Sequence, residues 1–354
     1  MSGFETVYVL HKSGAKSHYK GLEHLLQQNG GRIVYREFSV VDTLIKSIIK
    51  LKFALAKKQF INAWFLLSLS FSKDKKVVLG IAPFDYKLPY LLYLLKNHKV
   101  FYHTSWTVWD GSHQPKNKWV TDKLKSHWRK FLEEDAKHIF AVSNETQIQL
   151  MANYHITNSR ISVVYHSLDD TMFKCNGEQK IDSGKINFIY VGRLVSQKGL
   201  EELLDYFATQ TDKVITIIGK GTLQPLVQDY AKKHAAIRFL GYINNPEALA
   251  KYYREHDYLV LNSKKTQIWE EAFGMVLIEA MACGTIAVST NHSGPQEIID
   301  TTINGYLIPE GTMVPFLDNL KLRPAYDKIK QKAIETAKLY SLENIAKRWL
   351  PVLN

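Results

Sequence analysis

The sequence predicts an α/β protein with two domains, each built on a parallel β-sheet. Short runs of strand-forming residues alternate with helical patterns, and the gaps between the runs are long enough for crossover helices. With 354 residues, the chain exceeds the length at which one hydrophobic core usually keeps growing. Its 45% hydrophobic and 23% charged residues are typical of a globular protein. We therefore expect both domains to fold.

The first domain is assigned to residues 1–175. Its predicted strands cover residues 6–10, 32–35, 77–81, 100–102 and 139–142. Since each gap can hold a helix, these strands are expected to lie parallel in one sheet.

The second domain is assigned to residues 176–340, after the polar linker candidate "KCNGEQKIDSGK" at 174–185. Its predicted strands cover residues 186–192, 214–219, 237–241 and 257–262. Apolar residues recur at helical spacing between them: Leu200, Leu203, Leu204 and Phe207, then Leu223, Leu226, Val227 and Tyr230. Residues 341–354 also have a helical pattern and could pack back on the N-terminal domain.

Positive charge is concentrated in the first half of the chain. The net charge is +12, and residues 1–175 carry 25 Lys and Arg against 14 Asp and Glu. The remainder carries 21 against 20. This asymmetry indicates an anionic partner for the first domain: nucleic acid, a membrane surface or a phosphorylated acceptor. Nucleic acid is not expected, because the sequence has no helix-turn-helix, zinc or aromatic ribonucleoprotein motif.

The N-terminal stretch and the two cysteines favour a cytoplasmic protein. The sequence begins "MSGFETVYVLHKSG", without the basic and apolar regions of an export signal. Cys175 and Cys283 are too few for a disulfide framework and lack metal-ligand spacing. Cys283 is expected to pack as a small apolar residue.

The stretch "YVGRLVSQKGL" follows a predicted strand and leads into a helix. Gly192 lets the backbone approach a ligand at the sheet edge where α/β domains bind nucleotides. Arg193 and Lys198 place two cations there, which suit a diphosphate. The alternative is that both are solvated surface charges. Gly219, in "IIGKGT", ends the next strand similarly but is weak evidence alone.

A second stretch, "WEEAFGMVLIEAMACG", places two carboxylates eight positions apart among apolar residues. Gly274 is predicted to mark a loop-to-helix transition, so residues 273–276 would present backbone N–H groups at a helix N-terminus. Glu271 would lie in the preceding loop, and Glu279 in the helix could accept hydrogen bonds from sugar hydroxyls. Alternatively, Glu279 pairs with a buried Arg or a backbone amide.

Taken in order, "GRLVSQKG", "IIGKG", "FLGY", "EEAFGMVLIEAMACGTIAV", "SGPQEII" and "NGYLI" resemble the donor half of a known enzyme family. The family is glycosyltransferase family four, whose members are retaining enzymes that use nucleotide sugars. Many of them act in bacterial surface-polysaccharide assembly. The resemblance runs from about Gly192 to Leu307 and includes the family's E-x7-E signature, Glu271 to Glu279. It implies the GT-B fold, in which two Rossmann-like domains face a central cleft.

The resemblance also implies roles for individual residues. Arg193 and Lys198 are similar to the pair that neutralises the donor diphosphate, which would make a metal ion or other cofactor unnecessary. Glu279 is similar to the ribose ligand. Glu271 and the backbone after it are similar to the donor-sugar contacts. Loop contacts near two residues after a later strand are expected to select the base and the sugar. These remaining donor-binding positions are Phe273, Gly274, Met275, Val276, Tyr242 and Ile243.

The first domain resembles the family less closely. Gly14 is similar to a reduced version of the glycine loop that approaches the donor phosphates, and His166 and Ser167 replace the usual Asn-Gly pair. His103 follows the strand "KVFY", where the family has a histidine that contacts the donor sugar at the reacting centre. A structural role is the alternative for His103.

Residues 42–76 contain 8 Lys and 2 Asp. Leu44, Ile48, Leu51 and Leu55 recur opposite Lys46, Lys50 and Lys57, which predicts a basic amphipathic helix. The following "FINAWFLLSLSF" is too short to span a bilayer, and "NKWVTDKLKSHWRKF" adds cations with interleaved tryptophans. We therefore expect peripheral attachment to the inner face of the cell membrane; a core-packing helix with a solvated lysine face is the alternative.

Together, these features predict a retaining, metal-independent glycosyltransferase. It would move a hexosyl-type sugar from a nucleoside diphosphate sugar, with UDP favoured and GDP possible. The acceptor would be a hydroxyl of a lipid-linked or other saccharide, in lipopolysaccharide, capsule or other glycan assembly. A nucleotide-sugar epimerase and a non-catalytic sugar-nucleotide-binding partner are the alternatives.

Overall fold

We analysed a computed structural model of the chain, which describes residues 5–12, 16–49, 52–113, 120–177, 184–266, 269–320 and 326–354. The chain divides into two compact units. Unit 1 comprises Met1–Ser167 together with Leu342–Asn354, and unit 2 comprises Leu168–Ser341. The predicted linker at 174–185 lies within unit 2, apart from residues 178–183, which are outside the described residues.

Unit 1 contains a parallel six-stranded sheet in the order β2-β1-β3-β4-β5-β6. Its strands are β1 (Thr6–His11), β2 (Arg32–Glu37), β3 (Lys76–Gly80), β4 (Lys99–Thr104), β5 (His138–Ala141) and β6 (Ile161–Val163). Its helices are α1 (Lys20–Gln28), α2 (Val40–Ile49), α3 (Phe53–Leu69), α4 (Leu88–Leu95), α5 (Asp122–Lys130) and α6 (Asn144–Asn153), and the last helix of the chain, α14 (Leu342–Arg348). Strand β6 was not predicted, because three residues are too few to show a strand pattern.

Unit 2 contains a second parallel six-stranded sheet in the order β12-β11-β10-β7-β8-β9. Its strands are β7 (Ile186–Val191), β8 (Lys213–Ile218), β9 (Ile237–Gly241), β10 (Tyr258–Leu261), β11 (Ile286–Thr290) and β12 (Gly305–Ile308). Its helices are α7 (Leu200–Ala208), α8 (Gln224–Lys233), α9 (Pro246–Glu255), α10 (Met275–Ala282), α11 (Ser293–Ile298), α12 (Met313–Asn319) and α13 (Tyr326–Lys338).

The strands inside both sheets are mostly buried, whereas the edge strands β2 and β9 are mostly only partly buried. Every residue of β7 is buried, and so is every residue of β11. Continuous apolar runs of this kind are typical of parallel sheets. The predicted α/β class with two parallel sheets is confirmed.

The basic region of unit 1 differs from its prediction. The predicted single helix is two helices, because α2 ends at Ile49 and Lys52 adopts a non-helical backbone before α3. In the stretch predicted to carry membrane-facing tryptophans, Trp128 is fully buried in the core of unit 1, and Trp119 is outside the described residues. No helix within the described residues is both long and apolar enough to cross a membrane.

Candidate functional site

The site in unit 2 lies where the order of the strands reverses. Strand β7 pairs with β8 on one side and with β10 on the other. The chain therefore leaves β7 and β10 in opposite directions and opens a crevice at their carboxyl ends, the usual ligand position in such sheets. The loop after β7 carries Arg193 and Lys198, and the loop after β10 carries Glu271.

The loop after β7 is held by hydrogen bonds to its backbone. The Tyr190 hydroxyl donates to the carbonyl of Arg193 (2.7 Å), and the N–H of Leu194 donates to the carbonyl of Lys220 (3.0 Å). The Arg193 side chain is exposed, and its guanidinium forms no ion pair with any other residue that the structure describes. It remains available to an anionic ligand at the crevice.

Gly199 brings the loops after β7 and β10 together. Its φ is +59°, and an added Cβ would lie 2.0 Å from the carbonyl oxygen of Asn262, so only glycine fits. The Asn262 side-chain amide donates to the Gly199 carbonyl (3.1 Å). This close approach fixes Lys198, the preceding residue, against the loop that carries Glu271.

Lys198 and Glu271 form a largely buried ion pair at the centre of the crevice. The Lys198 ammonium donates to Glu271 Oε2, and only 8% of Lys198 is exposed. The Ser263 hydroxyl also donates to Glu271 Oε2 (3.3 Å), and Lys198 Nζ lies 5.0 Å from the centre of the Trp269 ring. Lys198, predicted for the donor diphosphate, and Glu271, predicted for the donor sugar, therefore meet in one ion pair.

His292 holds the backbone of Glu271 in place. The N–H of Glu271 donates to His292 Nδ1 (3.2 Å), so the His292 proton is assigned to Nε2, which lies 2.9 Å from the carbonyl of Ser263 and 3.2 Å from Glu310 Oε1. His292 is 2% exposed. Our reading of the sequence missed it, although it follows strand β11 at the same sheet edge, which was the signal used for His103.

The predicted loop-to-helix transition occurs at Gly274, which precedes α10. Gly274 has a φ of +88°, a left-handed conformation that favours glycine. Phe273 is buried, whereas Met275 and Val276 in the first turn of α10 are partly exposed. The carbonyl of Glu271 accepts from the N–H of Gly294 (3.0 Å), which fixes the loop before α10.

Glu279 accepts a hydrogen bond from a tyrosine of the neighbouring helix α9. The Tyr253 hydroxyl donates to Glu279 Oε2 (3.1 Å) from α9. Burial and the Glu279 carboxylate raise the pKa of Tyr253 well above its ordinary value, so Tyr253 remains a donor. Glu279 is only partly buried, which leaves it accessible at the crevice.

The remaining predicted residues of unit 2 lie at the carboxyl ends of β8 and β9. The N–H of Gly219 donates to the carbonyl of Gly241 (2.8 Å), so the two loops are adjacent. Tyr242 is 56% exposed, with Lys220 Nζ 4.0 Å from its ring centre, and Ile243 is partly exposed. Gly192 is likewise at this edge, directly after β7.

Unit 1 has a pocket of about 250 Å³ at its own strand reversal, between β1 and β3. His103 lines it together with Lys12, Asp85 and Trp106. His103 Nε2 is buried with no hydrogen-bond partner among the described residues. Burial, and the nearby His166 and other histidines, hold the pKa of His103 well below its ordinary value, so the ring is neutral. Gly14 lies outside the described residues.

Comparison with known proteins identifies the family of unit 2, which contains most of the predicted donor-binding residues. Residues 174–336 match the family model described as glycosyl transferases group 1. Unit 2 is therefore a glycosyl transferase group 1 domain. The resemblance inferred from the motifs between Gly192 and Leu307 is confirmed.

Two curated relatives contain a similar segment. An uncharacterized glycosyltransferase, MJ1607, of Methanocaldococcus jannaschii is 28% identical over 185 residues, which are 47% of this chain and 45% of the relative. The lipopolysaccharide 1,2-N-acetylglucosaminetransferase of Salmonella typhimurium is 27% identical over 179 residues, 46% of each protein. The chain thus spans less than half the length of these relatives.

A solved structure extends the likeness to both units. The Anabaena protein HepE in complex with UDP has a TM-score of 0.68 and 15% identity, and covers 98% of this chain and 99% of its own. At this identity the likeness shows the fold. The group 1 domain and its companion unit therefore adopt the predicted GT-B fold.

Proposed function

We propose that this protein is a retaining glycosyltransferase that moves a hexosyl-type sugar from a nucleoside diphosphate sugar to a hydroxyl acceptor. The observation that carries the proposal is the meeting of Arg193, Lys198 and Glu271 at the strand reversal of a group 1 domain. Cations and a carboxylate at one crevice match the charged diphosphate and the neutral hydroxyls of such a donor.

Each donor group has a residue in unit 2 suited to it. The exposed guanidinium of Arg193 and the ammonium of Lys198 would neutralise the diphosphate, with Lys198 leaving Glu271 as the donor enters. Glu271 would then accept a hydrogen bond from a hydroxyl of the transferred sugar, beside the backbone of Phe273, Gly274 and Met275. Glu279, oriented by Tyr253, would accept hydrogen bonds from the ribose hydroxyls.

We propose UDP-sugar as the preferred donor, with GDP-sugar as the alternative. HepE, which has the same fold, was solved with UDP. The exposed Tyr242 and neighbouring Ile243 lie at the carboxyl edge of the sheet, where an aromatic ring can stack on a base.

The acceptor is proposed to be a lipid-linked or other saccharide bound by unit 1, in lipopolysaccharide, capsule or other glycan assembly. One relative of the group 1 domain is a lipopolysaccharide N-acetylglucosaminetransferase. The excess positive charge of residues 1–175 suits an anionic acceptor or membrane surface. We propose that the protein is peripheral on the inner face of the cell membrane, and that the neutral His103 contacts the donor sugar.

Transfer would retain the anomeric configuration without a metal ion. The acceptor oxygen would attack the anomeric carbon on the face of the departing diphosphate. The bond from that carbon to the diphosphate oxygen would break, and a diphosphate oxygen would take the acceptor proton. Fixed cations at Arg193 and Lys198 would stabilise the leaving charge, which is the function a metal would otherwise serve.

A thermal-shift screen with the uridine, guanosine and adenosine diphosphates and their sugars tests the donor. A ligand that binds only the folded state raises its stability with occupancy, so UDP and its sugars should give the largest shift. Replacing Lys198 with Ala should lower transfer about 100-fold, as for other lost charge-stabilising groups. Lys251→Ala, an exposed lysine of α9 in the same unit, is the matched control.

The products separate the alternatives. A transferase forms a glycosylated acceptor, whereas an epimerase releases a rearranged nucleotide sugar when no acceptor is present. A non-catalytic binding partner would show the thermal shift but no turnover. A fully active Lys198→Ala variant would contradict the diphosphate assignment.

A further inference from the structure

Helix α3 is apolar on both of its faces, although only one of them packs against the protein. Its inner face contributes Phe65, Leu66 and Leu69 to the core of unit 1. On its outer face, Phe53 is 78% exposed and Trp64 is 72% exposed. Large aromatic side chains are normally buried, so the outer face of α3 lacks the cover that these side chains predict.

The neighbouring helix α4 continues this surface. Leu88, Leu91, Leu94 and Leu95 face the core that also contains the inner face of α3. Two outer positions of α4, Tyr90 and Tyr93, are 58% and 66% exposed, and Tyr86, just before the helix, is 64% exposed. Since α3 packs against α4, their outer faces reach the solvent side by side.

The exposed apolar side chains are concentrated here. Of the 18 large hydrophobic side chains exposed in the described residues, 12 lie between Val41 and Tyr93. Scattered exposed apolar residues are normal, but a contiguous patch marks an interaction surface. We call the outer positions Phe53, Phe60, Trp64, Tyr86, Tyr90 and Tyr93 the docking face.

The charges around the docking face select its partner. Lys52, Lys57 and Lys73 are exposed on or beside α3. Lys96 Nζ lies 5.1 Å from the ring centre of Tyr93, and Lys87 Nζ lies 5.8 Å from that of Tyr86. A second copy of the chain would bring two such lysine clusters together, which disfavours a dimer through this face. An anionic surface satisfies both the lysines and the rings.

We infer that the docking face inserts its aromatic side chains into the interfacial region of an anionic lipid bilayer. This inference rests on the proposed peripheral location and names the surface responsible. Trp and Tyr favour the headgroup level because their rings are apolar and carry one polar group, and lysines around them contact lipid phosphates. The docking face takes the place of the predicted membrane contact around Trp128, because Trp128 is buried in the core of unit 1.

Vesicle flotation tests this surface in the full-length protein. The wild-type protein should float with vesicles of phosphatidylcholine containing one third phosphatidylglycerol, and less with phosphatidylcholine alone or at high salt. A variant with Trp64→Ser, Tyr90→Ser and Tyr93→Ser should bind the anionic vesicles about tenfold more weakly, since three interfacial rings are lost. Lys52→Gln with Lys57→Gln should also bind more weakly and lose part of the salt dependence.

The control is Ile148→Ser on α6, because Ile148 is 59% exposed in the same unit but outside the docking face. Thermal shift with UDP, measured without lipid, reports whether each variant folds and binds donor independently of vesicle binding. Wild-type binding by the aromatic variant, or equal losses in it and in Ile148→Ser, would overturn the inference. So would a wild-type protein that binds UDP and floats with neither kind of vesicle.

Discussion

His292 bonds through both ring nitrogens to the loops that form the crevice. It accepts from the backbone of Glu271 and donates to the carbonyl of Ser263. It is too buried to meet a ligand, so it acts by fixing where the Glu271 carboxylate can point. We regard it as a positioning residue for the proposed transfer.

Replacing His292 with Ala should lower kcat roughly tenfold while the affinity for UDP changes little. The change removes the hydrogen bonds of both ring nitrogens, each worth about 1 kcal/mol, and loosens the loop that presents Glu271 to the sugar. Steady-state kinetics and UDP thermal shifts measure the two effects separately.

His292→Asn is the informative companion variant. Its amide can accept from Glu271 and donate to Ser263, so it should recover part of the lost kcat. His155→Ala, which removes an exposed histidine of unit 1, should leave kcat unchanged. Equal activity of the Ala and Asn variants would show that the hydrogen bonds do not matter.

Single residues also show how far the sequence could predict the site. Lys198, Glu271 and Glu279 stand out because charged residues among apolar ones need partners. Their partners are not visible in the sequence: Lys198 meets Glu271 across 73 positions, and Glu279 meets Tyr253 from another helix. Such pairs depend on which strand ends become neighbours, and this is settled by the sheet order.

At the level of elements, parallel pairing gathers histidines at one edge of the unit 1 sheet. His11 ends β1, His103 lies near the end of β4, and His166 follows β6. His18, just before α1, has its ring centre 4.4 Å from that of His166. Burial and the charge of His18 lower the pKa of His166 to about 3, and the neighbouring rings act on His103 in the same direction.

Because these histidines have lowered pKa values, we expect unit 1 to lose stability in mild acid. An unfolded histidine takes up a proton near pH 6.5, whereas folded His166 resists until about pH 3, so the unfolded state binds more protons in this window. Stability should therefore fall as the pH drops below about 6.5, by roughly 1 to 2 kcal/mol at pH 5 from His166 alone. Urea unfolding followed by tryptophan fluorescence measures the loss.

The matched variants are His166→Phe and His155→Phe. The first removes a partly buried titrating ring and should make the fall shallower, even if the variant is less stable at neutral pH. The second replaces an exposed ring and should leave the slope unchanged. A wild-type stability that is constant between about pH 7 and pH 5 would contradict the prediction.

The elements themselves were predictable where burial shapes their sequence. Strands buried on both faces read as apolar runs, and those predicted for both sheets are found within two residues of their expected ends. Strand β6 is too short to show such a pattern, and β11 and β12 were not predicted either, although every residue of β11 is buried. The break between α2 and α3 at Lys52 was not predicted, because the apolar spacing continues from α2 into α3. The outer face of α3 has no core partner to explain its composition, so the sequence pointed to the region but not to the tyrosines on and beside α4.

At the scale of the whole molecule, the chain returns to its first unit at its end. Ile345 and Ala346 of α14 and the following Trp349 belong to a core cluster of unit 1. Trp349 is fully buried, with its ring centre 4.4 Å from that of Phe140 and 5.9 Å from that of Tyr19. Unit 2 has a separate core. A change near residue 349 should therefore act on residues far away in sequence and spare the group 1 domain that precedes it.

Trp349→Ala should destabilise unit 1 by about 3 to 5 kcal/mol, because it leaves a large cavity between two buried rings. Unit 2 should keep its UDP-dependent thermal shift, since its own core is untouched. Leu350→Ala, at a neighbouring side chain that is 48% exposed, should have little effect on either unit. Calorimetry with and without UDP assigns the transitions, because only the donor-binding unit responds to the nucleotide. If Trp349→Ala abolished the UDP response, the stability of unit 2 would depend on that of unit 1, which would contradict the prediction.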